Sequence, residues 1–111
     1  MHSLFLSSSG RVYSCGSNNY GQCGIQRDAD NLYLQPQIVP LLYDIKKIGP
    51  GSFHNLCIDK NQALWVFGRN DKGQLGLGPE YESKGYDDTA IINPYFKGDS
   101  AENKIVFIEV E

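Results

Sequence analysis

The chain has 111 residues, 41% of them apolar and 21% charged, with a formal net charge of −3. This is the composition of a folded globular domain: it excludes long disorder and a coiled coil, and it lacks the basic excess of a nucleic-acid module. No apolar run approaches the roughly 20 residues that cross a bilayer, so no membrane association is expected.

Along the chain, short apolar runs alternate with turn signals. Met1 to Ser7 has no basic start and too short an apolar run for a signal peptide. Predicted strands run from Ser3 to Ser7 and from Arg11 to Cys15, with a tight turn at Ser8-Ser9-Gly10. The glycine-rich run Gly16 to Gly24 follows, and then strands at Gln37 to Val39 and Ile45 to Ile48. The same order recurs: strands at Asn55 to Asp59 and Ala63 to Phe67, joined by Lys60-Asn61-Gln62, and then a second glycine run, Gly68 to Gly78. Strands at Ala90 to Ile92 and Lys104 to Val110 complete the series. No segment sustains a 3.6-residue apolar period, so little helix is expected. Leu64-Trp65-Val66-Phe67 is apolar on both faces and predicts a strand covered on both sides.

The recurrence is a true repeat. One constant shift carries His2 onto His54, Leu4 onto Leu56, Gly16 onto Gly68, Asn18 onto Asn70, Gly21 onto Gly73, Gln22 onto Gln74 and Gly24 onto Gly76. Further on, Ile45-Lys46-Lys47-Ile48 resembles Ile105-Val106-Phe107-Ile108 at a larger offset, so the second unit carries an insertion. The units are residues 1–53 and 54–111, with the insertion inside 79–104. Its acids, Glu80, Glu82, Asp87, Asp88, Asp99 and Glu102, outnumber Lys84, Lys97 and Lys104. Four short strands per unit is the pattern of a propeller blade, so the expected fold is all-β, two four-stranded antiparallel blades of an incomplete β-propeller.

His-Ser-Leu-x-Leu followed by Gly-Arg-Val-Tyr-Ser-x-Gly-Ser-Asn-x-Tyr-Gly-Gln-x-Gly, over His2 to Gly24, resembles the repeat of the regulator of chromosome condensation family. His54 to Gly78 carries it in weaker form, and Gly49-Pro50-Gly51-Ser52-Phe53-His54 resembles the family's entry to a next unit. The resemblance implies a seven-bladed propeller, of which this chain holds two repeats. It is therefore expected to be a fragment of a larger repeat protein, with the missing blades supplied in cis or in trans. Blades without neighbours expose apolar faces, so the isolated chain is expected to self-associate or to bind a hydrophobic-surface dye.

Repetition also weighs on the chemistry. Three cysteines and no Asn-x-Ser/Thr sequence argue against a disulfide framework, and an intracellular setting, cytoplasmic or nuclear, is the default. Cys15, Cys23 and Cys57 align with Phe67, Leu75 and Phe5, which predicts packing rather than metal binding. His2 and His54 are equivalent, as structural hydrogen-bonders would be. Gly16 to Gly21 and Gly68 to Gly73 share a P-loop's first spacing, but glutamine follows instead of lysine and a hydroxyl residue. The repeat residues His2, Gly16, Asn18, Gly21, Gln22, Gly24, His54, Gly68, Asn70, Gly73, Gln74 and Gly76 are thus assigned to the scaffold. No catalytic, cofactor or metal residue is assigned.

The insertion is expected to be a surface loop, and its Tyr81, Tyr86, Asp87 and Asp88 are the candidates for contact with a protein partner. The expected function is a non-enzymatic protein–protein interaction module. As alternatives, the resemblance implies part of a guanine-nucleotide exchange factor for a small GTPase, or a regulatory segment of a ubiquitin ligase or kinase.

Overall fold

The computed structural model describes residues 1–97. It is all-β apart from one 3₁₀ turn at Pro79–Lys84. Strands β1 (His2–Leu6), β2 (Val12–Ser17) and β3 (Leu32–Ile38) form a three-stranded antiparallel sheet in that order. Strands β4 (Ile45–Pro50), β5 (His54–Asp59), β6 (Ala63–Arg69) and β7 (Tyr86–Lys97) form a four-stranded one. The expected strand Lys104 to Val110 lies outside the described residues.

The sheets are out of phase with the sequence repeat. Ile45 to Ile48, grouped above with the first unit, pairs with β5 and belongs to the second sheet. The reason is local. A tight turn through Gly51, Ser52 and Phe53, closed by Gly51 N–H donating to the His54 carbonyl at 2.7 Å, folds β4 directly back onto β5. Left-handed Leu41 (φ 72°) and Asp44 (φ 54°) carry the chain across from the first sheet. The first sheet therefore has three strands among the described residues, where four were expected.

The acidic insertion is corrected more strongly. A loop with a short strand at Ala90 to Ile92 was expected, but the described part of the insertion, residues 79–97, is mostly the 12-residue outer strand β7. Two register shifts let β7 run from Asp87 to Lys97 while β6 advances only from Gly68 to Ala63. Bulges of this kind absorb extra residues without ending the ladder.

The two hairpin turns fall where Gly and Asn suggested. Gly10 takes φ 84°, while in the second turn the left-handed residue is Gln62 (φ 65°) rather than Asn61. The Asp59 carboxylate sets that second turn. It accepts from the Asn61 and Ala63 amides at 2.8 and 3.0 Å and from Trp65 Nε1 at 3.1 Å.

The main core lies between the sheets. Val12 and Val39 from the first sheet side meet Ile45, Cys57, Phe67 and Ala90 of the second, with Leu42 between them. A second cluster, Ile58, Leu64, Val66, Leu75 and Leu77, covers the far face of the second sheet. The doubly apolar run is thus split: Trp65 and Phe67 face the junction, Leu64 and Val66 face away. On the first sheet the cross-strand row Phe5, Tyr13 and Ile38 turns away from the junction, leaving Phe5 48% and Ile38 41% exposed.

Phe67 is fully buried at the junction, so Phe67→Ala is expected to cost about 3–5 kcal/mol in urea unfolding. Phe5→Ala, on the open face, should stay within about 0.5 kcal/mol.

Candidate functional site at the blade junction

Each glycine run folds into a compact knuckle built around one asparagine. Asn18 Oδ1 accepts from the Cys23 amide at 3.0 Å, and Asn70 Oδ1 from the Leu75 amide at 3.1 Å. One glutamine closes each knuckle from within: Gln22 Oε1 accepts from the Tyr20 amide and Gln74 Oε1 from the Lys72 amide, both at 2.8 Å. Gly21 and Gly73 donate their amides to the Asn18 and Asn70 carbonyls at 3.1 Å. Gly24 and Gly76 then donate to Gly21 and Gly73 at 2.9 and 3.0 Å. Both turns need left-handed backbone, with φ 72° at Gly21 and 71° at Gly73. His2 and Gly16 sit opposite one another in the β1–β2 ladder, as His54 and Gly68 do in β5–β6.

The first knuckle docks onto the second sheet. Asn55 of β5 is fully buried and donates Nδ2 to the Gln22 carbonyl at 2.6 Å, while its Oδ1 accepts from His2 Nε2 at 2.8 Å. One side chain thereby ties both the first sheet and its knuckle to the second sheet. A Cβ on Gly21 would overlap the backbone of Asp88, so the two sheets approach closely there. Asp88 Oδ2 also accepts from the Arg27 amide at 2.8 Å, and the Arg27 guanidinium lies 4.4 Å from the Tyr86 ring centre.

The partner candidates from the insertion are placed differently than a surface loop would place them. Asp87 and Asp88 are 6% and 9% exposed within β7. Burial and the neighbouring Asp88 push the Asp87 carboxyl above the ordinary carboxylate range, against the pull of Lys84 Nζ at 3.9 Å. Tyr86 is half-buried beneath Arg27, with Lys84 Nζ 5.1 Å from its ring centre. Tyr81 is exposed, and its carbonyl accepts from Asn70 Nδ2 at 3.4 Å. These four do not form one patch: two are buried, one is stacked and one stands apart.

Cys23 and Cys57 are buried and Cys15 is half-buried, all as free thiols. Burial pushes Cys57 up to about 12, far from the reactive thiolate range. Among the described residues, no three His, Cys, Asp or Glu side chains converge in a way that would hold a metal ion.

A different cluster lies at the junction, with Phe53 and Asp71 exposed and Tyr20 and Arg69 half-buried. Tyr20 of the first knuckle meets Phe53 of the β4–β5 turn edge to face, with ring centres 5.4 Å apart. The Arg69 guanidinium lies 5.0 Å from the Tyr20 ring and 5.5 Å from the Phe53 ring, and it holds Asp71 by two bonds of 2.7 and 2.8 Å. Phe53, 40% exposed, also borders an open cleft of about 690 Å³ lined by Met1, His2, Ser3 and Pro50–Phe53. Sequence reasoning passed over all four residues because it searched for what repeats. Their common signal is the reverse: Tyr20 aligns with Lys72, Phe53 with Met1, Arg69 with Ser17 and Asp71 with Asn19.

Two antiparallel sheets stacked face to face and joined by a recurring polar knuckle define a propeller-type repeat scaffold. Sequence models of the regulator of chromosome condensation (RCC1) repeat match residues 9–58 and 45–74. The chain belongs to the RCC1 repeat family. It is 35% identical over 85 residues to the probable E3 ubiquitin-protein ligase HERC6 of Homo sapiens, covering 75% of this chain and 8% of that protein. It is 33% identical over 81 residues to protein pim1 of Schizosaccharomyces pombe, covering 68% of this chain and 15% of that one. The chain thus spans only a small part of these relatives. Among solved structures, Prp20p of Saccharomyces cerevisiae matches with a TM-score of 0.77 at 21% identity, covering 98% of this chain and 26% of that one. Human WBSCR16 matches with a TM-score of 0.69 at 22% identity, covering 82% of this chain and 22% of that one.

Gly73→Val should destabilise the chain by about 1–3 kcal/mol, the cost of a forced backbone outlier, and Gly21→Val by more, because its Cβ also meets the Asp88 backbone, as read by chemical unfolding. A ligand loop would instead leave one of the two sites tolerant.

Stability should also depend on pH through the histidines. Burial holds both His2 and His54 below their ordinary value of 6.5. The unfolded chain therefore takes up protons first, so their contribution is full above about pH 6.5 and is lost as the pH falls below it. Urea midpoints should drop between pH 7.5 and 5.5, and the double variant His2→Gln, His54→Gln should flatten that slope.

Proposed function

We propose that this chain is a non-enzymatic protein-interaction module within a larger repeat protein, and that it meets its protein partner through Tyr20, Phe53, Arg69 and Asp71. The observation carrying this reading is the cluster's departure from the repeat. Residues that recur in both units serve the knuckles and the ladder; these four recur nowhere and stand at the surface. Aromatic and arginine side chains are the ones that most often anchor protein interfaces. Tyr20 comes from one blade and Phe53, Arg69 and Asp71 from the next, so the patch exists only when the two are docked.

Several relatives are named as ubiquitin ligases, which supports placing such a module as a regulatory segment of a larger enzyme. A second reading is part of an exchange factor for a small GTPase. It draws on Prp20p, whose structure is described together with its binding to Gsp1p and histones. That likeness is one of fold and brings no contact residues to this chain.

The test compares tagged wild-type chain with the double variant Phe53→Ser, Arg69→Ala and with Leu34→Ser, a strand-edge control at a position 86% exposed. A partner recovered by wild type and by the control, and lost at least tenfold with the double variant, is the expected result. Equal recovery by all three would remove the cluster from the interface. Accelerated nucleotide release from a small GTPase would favour the second reading.

A further inference from the structure

We infer that the crossover between the two sheets, residues 39–45, forms a second docking surface, and that its occupant is an acidic segment of a protein partner that also carries apolar side chains. This surface lies at the hairpin end of the strands. Phe53 precedes β5 and Lys60 follows it, so the Tyr20 cluster sits at the other end, roughly 20 Å away. The two surfaces share no residue.

Three main-chain bonds fix the crossover. Val39 N–H donates to the Val12 carbonyl at 2.8 Å, Ile45 N–H to the Gly10 carbonyl at 2.9 Å and Lys60 N–H to the Asp44 carbonyl at 2.9 Å. Both hairpin turns therefore hold it. Val39 and Leu42 are fully buried in the junction core. The other two large side chains are not: Leu41 is 49% and Tyr43 58% exposed. Their exposure is set by the two sheets that flank the crossover, both among the described residues.

Leu41 is the position that packing leaves unexplained. Its φ of 72° lies in the left-handed region, where a bulky side chain is an outlier. Glycine would make this turn without strain. The leucine side chain stays half in water, so the fold recovers little of that strain through burial. Strain retained at a rigid surface position points to a contact outside the chain.

The groups beside Leu41 select the partner. Arg11 Nε donates to the Leu42 carbonyl at 3.0 Å, and the Arg11 guanidinium lies 4.2 Å from the Tyr43 ring centre. One bond and one stack hold its plane, while its Nη groups enter no ion pair among the described residues. A fixed guanidinium with open Nη groups matches the two oxygens of a carboxylate. Lys60 is tied to the Asp44 carboxylate at 3.4 Å, and Lys46 is exposed where β4 begins. Arg11, Lys46 and Lys60 against Asp44 make the surface locally positive on a chain of net charge −3. Local positive charge draws a short acidic segment, whereas the negative whole repels an extended polyanion such as nucleic acid or an anionic membrane. Leu41 and Tyr43 supply the apolar anchors, and a crossover already held rigid loses little freedom on binding.

The test selects phage-displayed random peptides of about ten residues on the immobilised full chain, after depletion on the double variant Leu41→Gly, Arg11→Gln. The enriched peptides should combine aspartate or glutamate with leucine or phenylalanine. The strongest of them should bind wild type at least tenfold more tightly than either single variant. Leu41→Gly separates docking from folding, because glycine relieves the turn: its urea midpoint should match or exceed that of wild type while binding falls. If Arg11→Gln fails to fold by circular dichroism, Leu41→Gly alone decides. The variant Phe53→Ser, Arg69→Ala should bind the peptide as wild type does, so failure of one surface is read apart from failure of the other. A basic or uncharged consensus, no enrichment, binding untouched by Leu41→Gly, or a lower urea midpoint for that variant would overturn the inference. So would a wild type that prefers phosphatidylserine vesicles to the peptide.

Discussion

The structure depends on one buried amide. Asn55 is fully enclosed, and its two polar atoms are taken by groups of the other sheet, the His2 ring and the Gln22 carbonyl. A buried amide with either partner missing would carry the full cost of an unsatisfied polar group, about 1–3 kcal/mol for each. The sheets are therefore held in one relative position, not merely pressed together by apolar area. Once Asn55 is seated, Gly21 lies against Asp88, Gly24 against Val39 and Phe67, and the apolar core closes behind them. The surface cluster of Tyr20, Phe53, Arg69 and Asp71 follows from the same seating.

The two knuckles show how a repeat divides its labour. Their internal hydrogen bonds agree to about a tenth of an ångström at the asparagine, the glutamine and the first glycine. Their outward contacts differ. Asn18 Nδ2 donates to the Ile25 carbonyl, while Asn70 Nδ2 reaches the Tyr81 carbonyl in the 3₁₀ turn. Gln22 is buried against the second sheet, and Gln74 is half-buried. The backbone device is shared, and each copy then meets a different neighbour.

Burial leaves the titratable groups of the scaffold quiet at neutral pH. The histidines are held neutral, Cys57 is held protonated, and Asp87 is drawn toward its neutral form. Each of these shifts has desolvation as its largest cause.

The sequence by itself determined the repeat, the order of strands and turns, and the knuckle residues. Each is a local property. A left-handed turn needs Gly21, and an asparagine at position 18 needs only the amide five residues on. The split of Leu64 to Phe67 between two cores was legible for the same reason, because alternation along a strand is local. Only the tertiary structure decided that Ile45 to Pro50 joins the second sheet, since pairing depends on which edge a short turn brings near. It alone buried Asp87 and Asp88, whose acidic surroundings in sequence read as a solvated loop, by drawing them into a bulged outer strand. It alone gathered Tyr20 with Phe53 and Arg69, because their proximity exists only across a packed junction, and no spacing along a chain records what docking brings together.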